Sequence, residues 1–138
     1  MPYPEMLVTP MRAELTNNGF EELKSEEDVN KAFESKEGTM LLVVNSVCGC
    51  AAGSCRPGVV HSLKGNKKPG KLVTVFAGQD LDAVQKAREN MVPYPPSSPA
   101  IALFKDGKLV HMIERHNIEG RTAQMIADNL SGAYEQFC

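Results

Sequence analysis

The sequence predicts one α/β domain, in which helices cover both faces of a sheet of buried strands. Three observations support this prediction. The chain has 138 residues, 42% of them hydrophobic, and is therefore long enough to bury a substantial core as one unit, residues 1–138. The run Thr39–Asn45 is almost uninterrupted Met, Leu and Val, which is typical of a strand covered on both faces. Strand-like and helix-like segments then alternate along the chain.

Two helices and a brief strand are predicted before the central run Thr39–Asn45. Thr9-Pro10 suits an N-cap followed by proline at the first helical position, in an amphipathic helix that ends at Asn17-Asn18-Gly19. Residues 20–23 suit a short strand. Ser25-Glu26-Glu27-Asp28 is typical of a capping box at the start of a second helix.

The segments after the central run continue the alternation. Arg56-Pro57-Gly58 predicts a kink in the helix that follows the first cysteines. Residues 72–77 form the next buried strand, and Asp80 is a suitable cap for the helix after it. Asp106-Gly107 lies between two apolar runs and predicts a β-hairpin. A final helix follows from Thr122.

The central strand leads directly into two cysteines, Cys48 and Cys50. Small residues follow them, so we expect Cys48 to lie in the first turn of a helix, where unpaired backbone N–H groups favour an anion. A thiolate is such an anion, and helix N-termini lower the pKa of cysteine thiols. Glycine and serine surround the pair, which argues against two cysteines that serve only as small core residues.

Charge and composition limit the possible partners. The net charge is −2 and no basic block occurs, which argues against a nucleic acid or an anionic membrane as partner. The first ten residues lack the pattern of a secretory leader, and no apolar run is long enough to span a bilayer. We therefore expect a cytoplasmic protein. Close cysteine pairs there are more often catalytic or metal-binding than structural.

Parallel-type strands, a thiol pair at a strand-to-helix junction, a Ser-Pro before a strand, a hairpin and a terminal helix outline a thioredoxin-like fold. We expect a three-layer α/β/α sandwich with a mixed central sheet and an extra N-terminal helix. Several motifs also resemble those of the bacilliredoxins, which are thioredoxin-like proteins with a Cys-Gly-Cys centre. These motifs are Val43–Gly53, Val73–Asp80, Pro96–Pro99, Arg115–Gly120 and Cys138. The resemblance covers nearly the whole chain, and Cys55 is a departure from the family pattern.

The resemblance implies a function. Bacilliredoxins are cytoplasmic redox proteins that remove bacillithiol from mixed disulfides on client proteins, and a weak disulfide isomerase activity has been ascribed to them. The resemblance to this family places the attacking thiol at Cys48 and the second catalytic thiol at Cys50. The expected partners are bacillithiolated clients and bacillithiol itself, a co-substrate, with no other cofactor. A Cys48–Cys50 disulfide would close a very small, strained ring, so a mixed disulfide on Cys48 should persist.

Four further residues are candidates for substrate binding. The resemblance places Ser98-Pro99 beside the thiols with a cis peptide bond, which would leave the backbone before Pro99 free to pair with a client; an ordinary trans proline is the alternative. His116, with its neighbour Arg115, can supply proton transfer or anion contacts, or can be a solvated strand end. Arg56 can hold a carboxylate, but a solvated helix charge is the favoured interpretation.

Two other functions stay open at this stage. A protein disulfide isomerase or general oxidoreductase would use the same thiols on peptide disulfides. A metal-binding protein would use the four cysteines with His61 or His116 as ligands, although the spacing lacks the usual pair of Cys-x-x-Cys motifs.

Overall fold

A five-stranded mixed sheet organises the computed structural model, which describes residues 2–138. The strands are β1 (Glu21–Glu22), β2 (Thr39–Asn45), β3 (Lys71–Phe76), β4 (Ala100–Lys105) and β5 (Lys108–Ile113). Their spatial order is β1-β3-β2-β4-β5, with β1, β3 and β2 parallel, β4 antiparallel to β2, and β5 antiparallel to β4. The predicted mixed sheet is therefore confirmed.

Helices cover both faces of this sheet. They are α1 (Glu5–Thr16), α2 (Glu26–Ala32), α3 (Arg56–Ser62), α4 (Leu81–Arg88), α5 (Arg115–Ile118) and α6 (Ala123–Phe137), with a π-helical turn, Ala51–Cys55, directly before α3. Alternate residues of β2 enter two different cores: Leu41 and Val43 pack with α1, α3 and α6, whereas Leu42 and Val44 pack with α2 and α4. This arrangement is the expected three-layer sandwich. Over the described residues, no helix has the length and apolar character needed to cross a membrane.

The sheet topology brings several loops to one end of the sheet, where the parallel strands β2 and β3 stop. Parallel strands β2 and β3 end side by side, with Asn45 paired to Phe76. Antiparallel β4 begins at the same edge, where Ala100 pairs with Val44, and β5 ends there opposite Ile101. Three segments therefore meet around Cys48: the one after β2, the one before β4 and the one after β5.

The predicted start of the N-terminal helix is wrong. Helix α1 begins at Glu5, and Pro10 lies inside it instead of at its first position. Proline removes one backbone hydrogen bond, but the first turn is held by other contacts. Arg12 is buried and its Nε donates to Glu5 Oε1 at 2.8 Å, and Thr9 Oγ1 donates to the Glu5 carbonyl at 2.7 Å. Tertiary contacts thus override the local signal.

Other local signals fare differently. Ser25 caps α2 by accepting a hydrogen bond from the Asp28 N–H, as predicted. Asp80 precedes α4, but its carboxylate binds Arg12 at 2.8 and 3.2 Å instead of capping the helix. The hairpin turn has positive φ at Asp106 and Gly107, as an Asp-Gly turn of this kind requires. The interruption predicted at Arg56-Pro57-Gly58 lies earlier in the chain: these residues begin α3, and the π-helical turn Ala51–Cys55 precedes them.

Candidate active site

The paired thiols lie where β2 passes into a helix. Residues 49–62 are helical throughout, with the π-helical turn in the middle, and Cys48 immediately precedes them. The Cys48 carbonyl accepts hydrogen bonds from the N–H groups of Ala51 at 3.1 Å and Ala52 at 3.3 Å. Cys48 therefore occupies the N-terminal boundary of the helix, as the sequence predicts, with backbone N–H groups close to its sulfur.

The sulfurs of Cys48 and Cys50 are in direct contact at 2.6 Å. Both residues are half-buried, so a substrate can reach them from the surface. All four cysteines lie in the described part of the chain, and each is a free thiol. The pair can thus act as an attacking thiol with a neighbour that exchanges a proton or a disulfide bond with it.

The two thiols differ in acidity. Burial raises the pKa of Cys48, but several hydrogen bonds together outweigh burial and leave the pKa below its ordinary value. These bonds come from the Cys50 thiol, the Ser46 hydroxyl and the backbone N–H groups of Ala51 and Cys50. Burial also raises the pKa of Cys50, and there the hydrogen bond with Cys48 and its negative charge add to burial. Cys48 is therefore the thiol of the pair that ionises at lower pH.

This asymmetry predicts the pH dependence of alkylation. Because the pKa of Cys48 is lowered, its thiolate persists to lower pH than an ordinary cysteine thiolate, and its alkylation rate should level off at lower pH. Cys50 should reach its maximal rate only at a pH above the ordinary thiol value, since its pKa is raised. Mass spectrometry of each cysteine-containing peptide after brief iodoacetamide treatment measures both profiles. Coinciding profiles would contradict the assignment.

The other two cysteines lie apart from this exposed pair. Cys55 is buried in the core beside α6, and burial raises the pKa of its thiol to about 12. Cys138 is exposed at the end of α6. Among residues 2–138, no group of three or more His, Cys, Asp or Glu side chains is arranged to hold a metal ion. The hypothesis of one metal bound by the four cysteines and a histidine is therefore not supported by their placement.

The loop before β4 carries the predicted cis proline. The Ser98–Pro99 peptide bond is cis, so this prediction is confirmed, and a second cis bond, Val92–Pro93, was not anticipated. The Ser98 carbonyl is not entirely free, because it accepts a hydrogen bond from Arg115 Nη1 at 3.1 Å. Pairing of a client segment at this edge stays a prediction.

Helix α5 holds two of the candidate binding residues. This single turn begins after a capping box formed by Glu114 and Asn117, and it is too short to leave a periodic signal in the sequence. Arg115 is half-exposed, pairs with Glu119 at 2.6 Å and lies close enough to lower the pKa of Cys50 by its charge. His116 is 72% exposed, 3.8 Å from Glu114. His116 therefore lies in a helical turn after β5, and not in an extended strand end as the sequence allowed.

Arg56 differs most from expectation. A solvated helix charge was the favoured interpretation, yet the residue is only 1% exposed. Its Nη1 donates to Asn45 Oδ1 at 2.9 Å and to the Ser46 carbonyl at 2.7 Å, and its Nε lies 3.1 Å from Glu14 Oε2. The guanidinium is bound to internal partners beneath residues 45–48, which we call the thiol loop. We therefore correct the predicted role of Arg56 in binding a substrate carboxylate.

Asn45 and Ser46 were missed as site residues. Ser46 accepts a hydrogen bond from the Cys48 N–H at 3.2 Å, and its own N–H donates to Asn45 Oδ1 at 2.8 Å. The available signal was their position: two polar residues follow directly on an apolar strand and precede the first cysteine. Polar residues that are buried at such a junction need partners, which points to a local network.

Solved structures confirm the fold. A reduced thioredoxin pre-protein from Schistosoma mansoni has a TM-score of 0.59 and 16% identity, covering 87% of this chain and 99% of that one. Thioredoxin from Fasciola hepatica has a TM-score of 0.57 and 17% identity, covering 86% of this chain and all of the other. Together with the sequence relatives described next, this fold and its half-exposed thiol pair define a thiol-disulfide oxidoreductase.

Sequence relatives give the family. The family described as disulphide isomerase matches residues 3–138. A bacilliredoxin from Cytophaga hutchinsonii is 62% identical over 134 residues, which cover 97% of this chain and 98% of the relative. A bacilliredoxin from Bacillus cereus is 52% identical over 99% of this chain and 95% of its own length. The chain belongs to the bacilliredoxin family.

Proposed function

We propose that this protein removes bacillithiol from mixed disulfides on client proteins. The Cys48 thiolate attacks the bacillithiol sulfur, the client–bacillithiol S–S bond breaks, and the client leaves as a thiolate that takes up a proton. Bacillithiol is then held on Cys48 as a new mixed disulfide, so one disulfide is exchanged for another with no net oxidation. The reaction needs no cofactor besides bacillithiol and suits the cytoplasm, where client thiols are kept reduced.

The observation that carries this proposal is that the pKa values of two touching thiols are shifted in opposite directions. Cys48 has a lowered pKa and supplies the nucleophile, whereas the raised pKa of Cys50 keeps that thiol protonated beside the Cys48 thiolate. The Cys48–Cys50 ring is very small, so internal closure should be slow. These features favour a protein that stores the small thiol on Cys48 over one that installs disulfides. The names of the relatives support bacillithiol as that thiol.

A second thiol must then clear the adduct. Attack by Cys50 on the Cys48 sulfur would release bacillithiol and leave an internal disulfide, which a reductant must open. Attack by a second bacillithiol on the stored bacillithiol would give bacillithiol disulfide and return the Cys48 thiolate directly. The very small ring that a Cys48–Cys50 disulfide would close favours the second route.

Helix α5 offers the contact for the non-reacting part of bacillithiol. That part carries a malate with two carboxylates, and Arg115 is a half-exposed cation whose charge acts on both thiols. A carboxylate can replace Glu119 as its partner in a charge-assisted hydrogen bond. The exposed His116 lies one residue further along and can add a second contact when protonated. Ser98 and Pro99, tied to Arg115, are the proposed edge for the client.

The test uses a Cys50→Ala variant incubated with a bacillithiolated client. We expect a bacillithiol adduct to accumulate on Cys48, seen as a mass increment on its peptide, while the client returns to its free thiol. The same client in a mixed disulfide with cysteamine is the matched control, since cysteamine has no carboxylate. Arg115→Gln should slow transfer of bacillithiol and leave transfer of cysteamine nearly unchanged. The absence of any adduct on Cys48 would contradict the proposal.

A disulfide isomerase is the second candidate, because the description of the matching family favours it. Both functions use Cys48 as nucleophile, so the substrate decides between them. A bacillithiolated client and a scrambled-disulfide protein are supplied at equal concentration, and both rates are measured. Faster repair of the scrambled protein, with no bacillithiol on Cys48, would establish the isomerase instead.

A further inference from the structure

A buried charge lies beneath the thiol loop and contacts neither thiol in the proposed reaction. Arg56 follows Cys55 at the start of α3, and its side chain is almost completely excluded from water. Burial of a guanidinium is costly unless its donors are satisfied. No residue between 2 and 138 accepts a hydrogen bond from its Nε, although Glu14 is 3.1 Å away as an ion-pair partner.

The contacts of Arg56 converge on the loop that carries Cys48. One nitrogen, Nη1, donates both to Asn45 Oδ1 at 2.9 Å and to the Ser46 carbonyl at 2.7 Å. Asn45 Oδ1 also accepts the Ser46 N–H at 2.8 Å, so the amide and guanidinium hold Ser46 at two points. Helix α1 braces the other side, where the Met11 carbonyl accepts a hydrogen bond from Asn45 Nδ2 at 3.2 Å.

Ser46 is the last link to the nucleophile. Its Oγ accepts the Cys48 N–H at 3.2 Å, which fixes the hydroxyl beside the cysteine backbone. The Ser46 hydroxyl is also one of the groups that lower the pKa of Cys48. A hydroxyl stabilises a thiolate well only when its direction is fixed, because a mobile hydroxyl must lose rotational freedom to make the bond.

We propose that Arg56 is a positioning residue, which acts through Asn45 and Ser46 to hold the Ser46 hydroxyl against the Cys48 backbone and so to fix the attacking thiol in place. This inference rests on Cys48 being the attacking thiol of the proposed function, but not on the identity of the small thiol. It assigns a role in the reaction to a charge that touches neither thiol nor substrate. It also gives α1 a function, since Glu14 and Met11 hold the far side of the same network.

The test measures the pH midpoint of Cys48 alkylation by iodoacetamide, with no bacillithiol present. Ser46→Ala removes the hydroxyl in a small substitution and should raise the midpoint by roughly one pH unit, as expected for loss of one hydrogen bond to a charged group. Arg56→Gln should raise it in the same direction, and Arg56→Lys should restore part of the shift. The double variant Ser46→Ala/Arg56→Gln should shift no further than the larger single variant, because the two residues act in one chain.

Arg12→Gln is the matched control. Arg12 is also a buried arginine, but its partners are the carboxylates of Glu5, Glu22 and Asp80, and its guanidinium donates no hydrogen bond to the segment 45–48. Its loss should lower the unfolding midpoint while leaving the Cys48 alkylation profile in place. If Arg56→Gln behaves like Arg12→Gln, or if Ser46→Ala leaves the pH midpoint unchanged, the proposal is overturned. Because alkylation needs no client, this outcome is independent of whether bacillithiol is the substrate.

Discussion

Cys48→Ser is expected to reduce removal of bacillithiol from a client to the rate measured without protein. A serine hydroxyl has the place of the thiol but is not ionised near neutral pH, so no nucleophile is present for the first exchange. Loss of roughly a thousand-fold or more in rate is usual when the nucleophile of a covalent mechanism is removed. Release of the client thiol, followed with a thiol-reactive dye, measures the effect.

Two other cysteine variants complete this comparison. Cys50→Ser should keep the first transfer, since Cys48 still attacks, and should also keep clearance of the adduct by a second bacillithiol. Cys138→Ser should transfer bacillithiol like the unmodified protein, because Cys138 lies exposed at the end of α6. Turnover by Cys48→Ser together with its loss in Cys50→Ser would reverse the two roles.

Gly58→Ala is expected to destabilise the protein by about 1–3 kcal/mol, the usual range for overpacking a core. Gly58 lies in α3 where this helix packs on α6. A Cβ at this position would be 2.7 Å from Ile126 Cβ, 2.8 Å from its Cγ2 and 3.0 Å from the Ala123 carbonyl oxygen. Neither a β-branched core side chain nor a helix backbone can move without shifting α6. Urea unfolding followed by circular dichroism measures the loss.

Gly132→Ala is the control for this variant. Gly132 lies within α6, and among the described residues no heavy atom outside its own helix backbone and chain neighbours is within 4 Å of a Cβ built there. Alanine should therefore stabilise the helix by about 0.5–1 kcal/mol. The two substitutions make the same chemical change and should have opposite signs. Equal stability of Gly58→Ala and the parent protein would mean that α3 and α6 are less tightly packed than described.

The features set by local sequence were predictable. The run Thr39–Asn45 is entirely apolar except at its ends, and it forms β2 with the predicted bounds. Asp106-Gly107 needs positive φ at both residues, which few other dipeptides tolerate, so the hairpin could be placed from two residues. The thiols follow β2 in sequence, and their place at the start of a helix follows from this order alone.

The support of the site depends on contacts between distant segments, and these leave weaker signals. Arg56 resembles a surface charge in the sequence because charged residues are seldom buried. Its burial arises only when α1 folds over α3 and brings Glu14 to its Nε. Helix α1 itself begins earlier than Pro10 suggests because Glu5 reaches Arg12, whose other partners lie on β1 and before α4. A pairwise contact of this kind is not visible in either segment by itself.

Because Cys55 is completely buried, the rate at which its thiol is modified can report how often the surrounding core opens. A reagent that modifies thiols reaches the Cys48–Cys50 pair and Cys138 in the closed molecule, but it reaches Cys55 only when the core around α6 separates. When closing is faster than labelling, the rate of modification at Cys55 reports the equilibrium between closed and open molecules. Cys55 is thus a natural probe of local opening in the core beside the reactive cysteine pair.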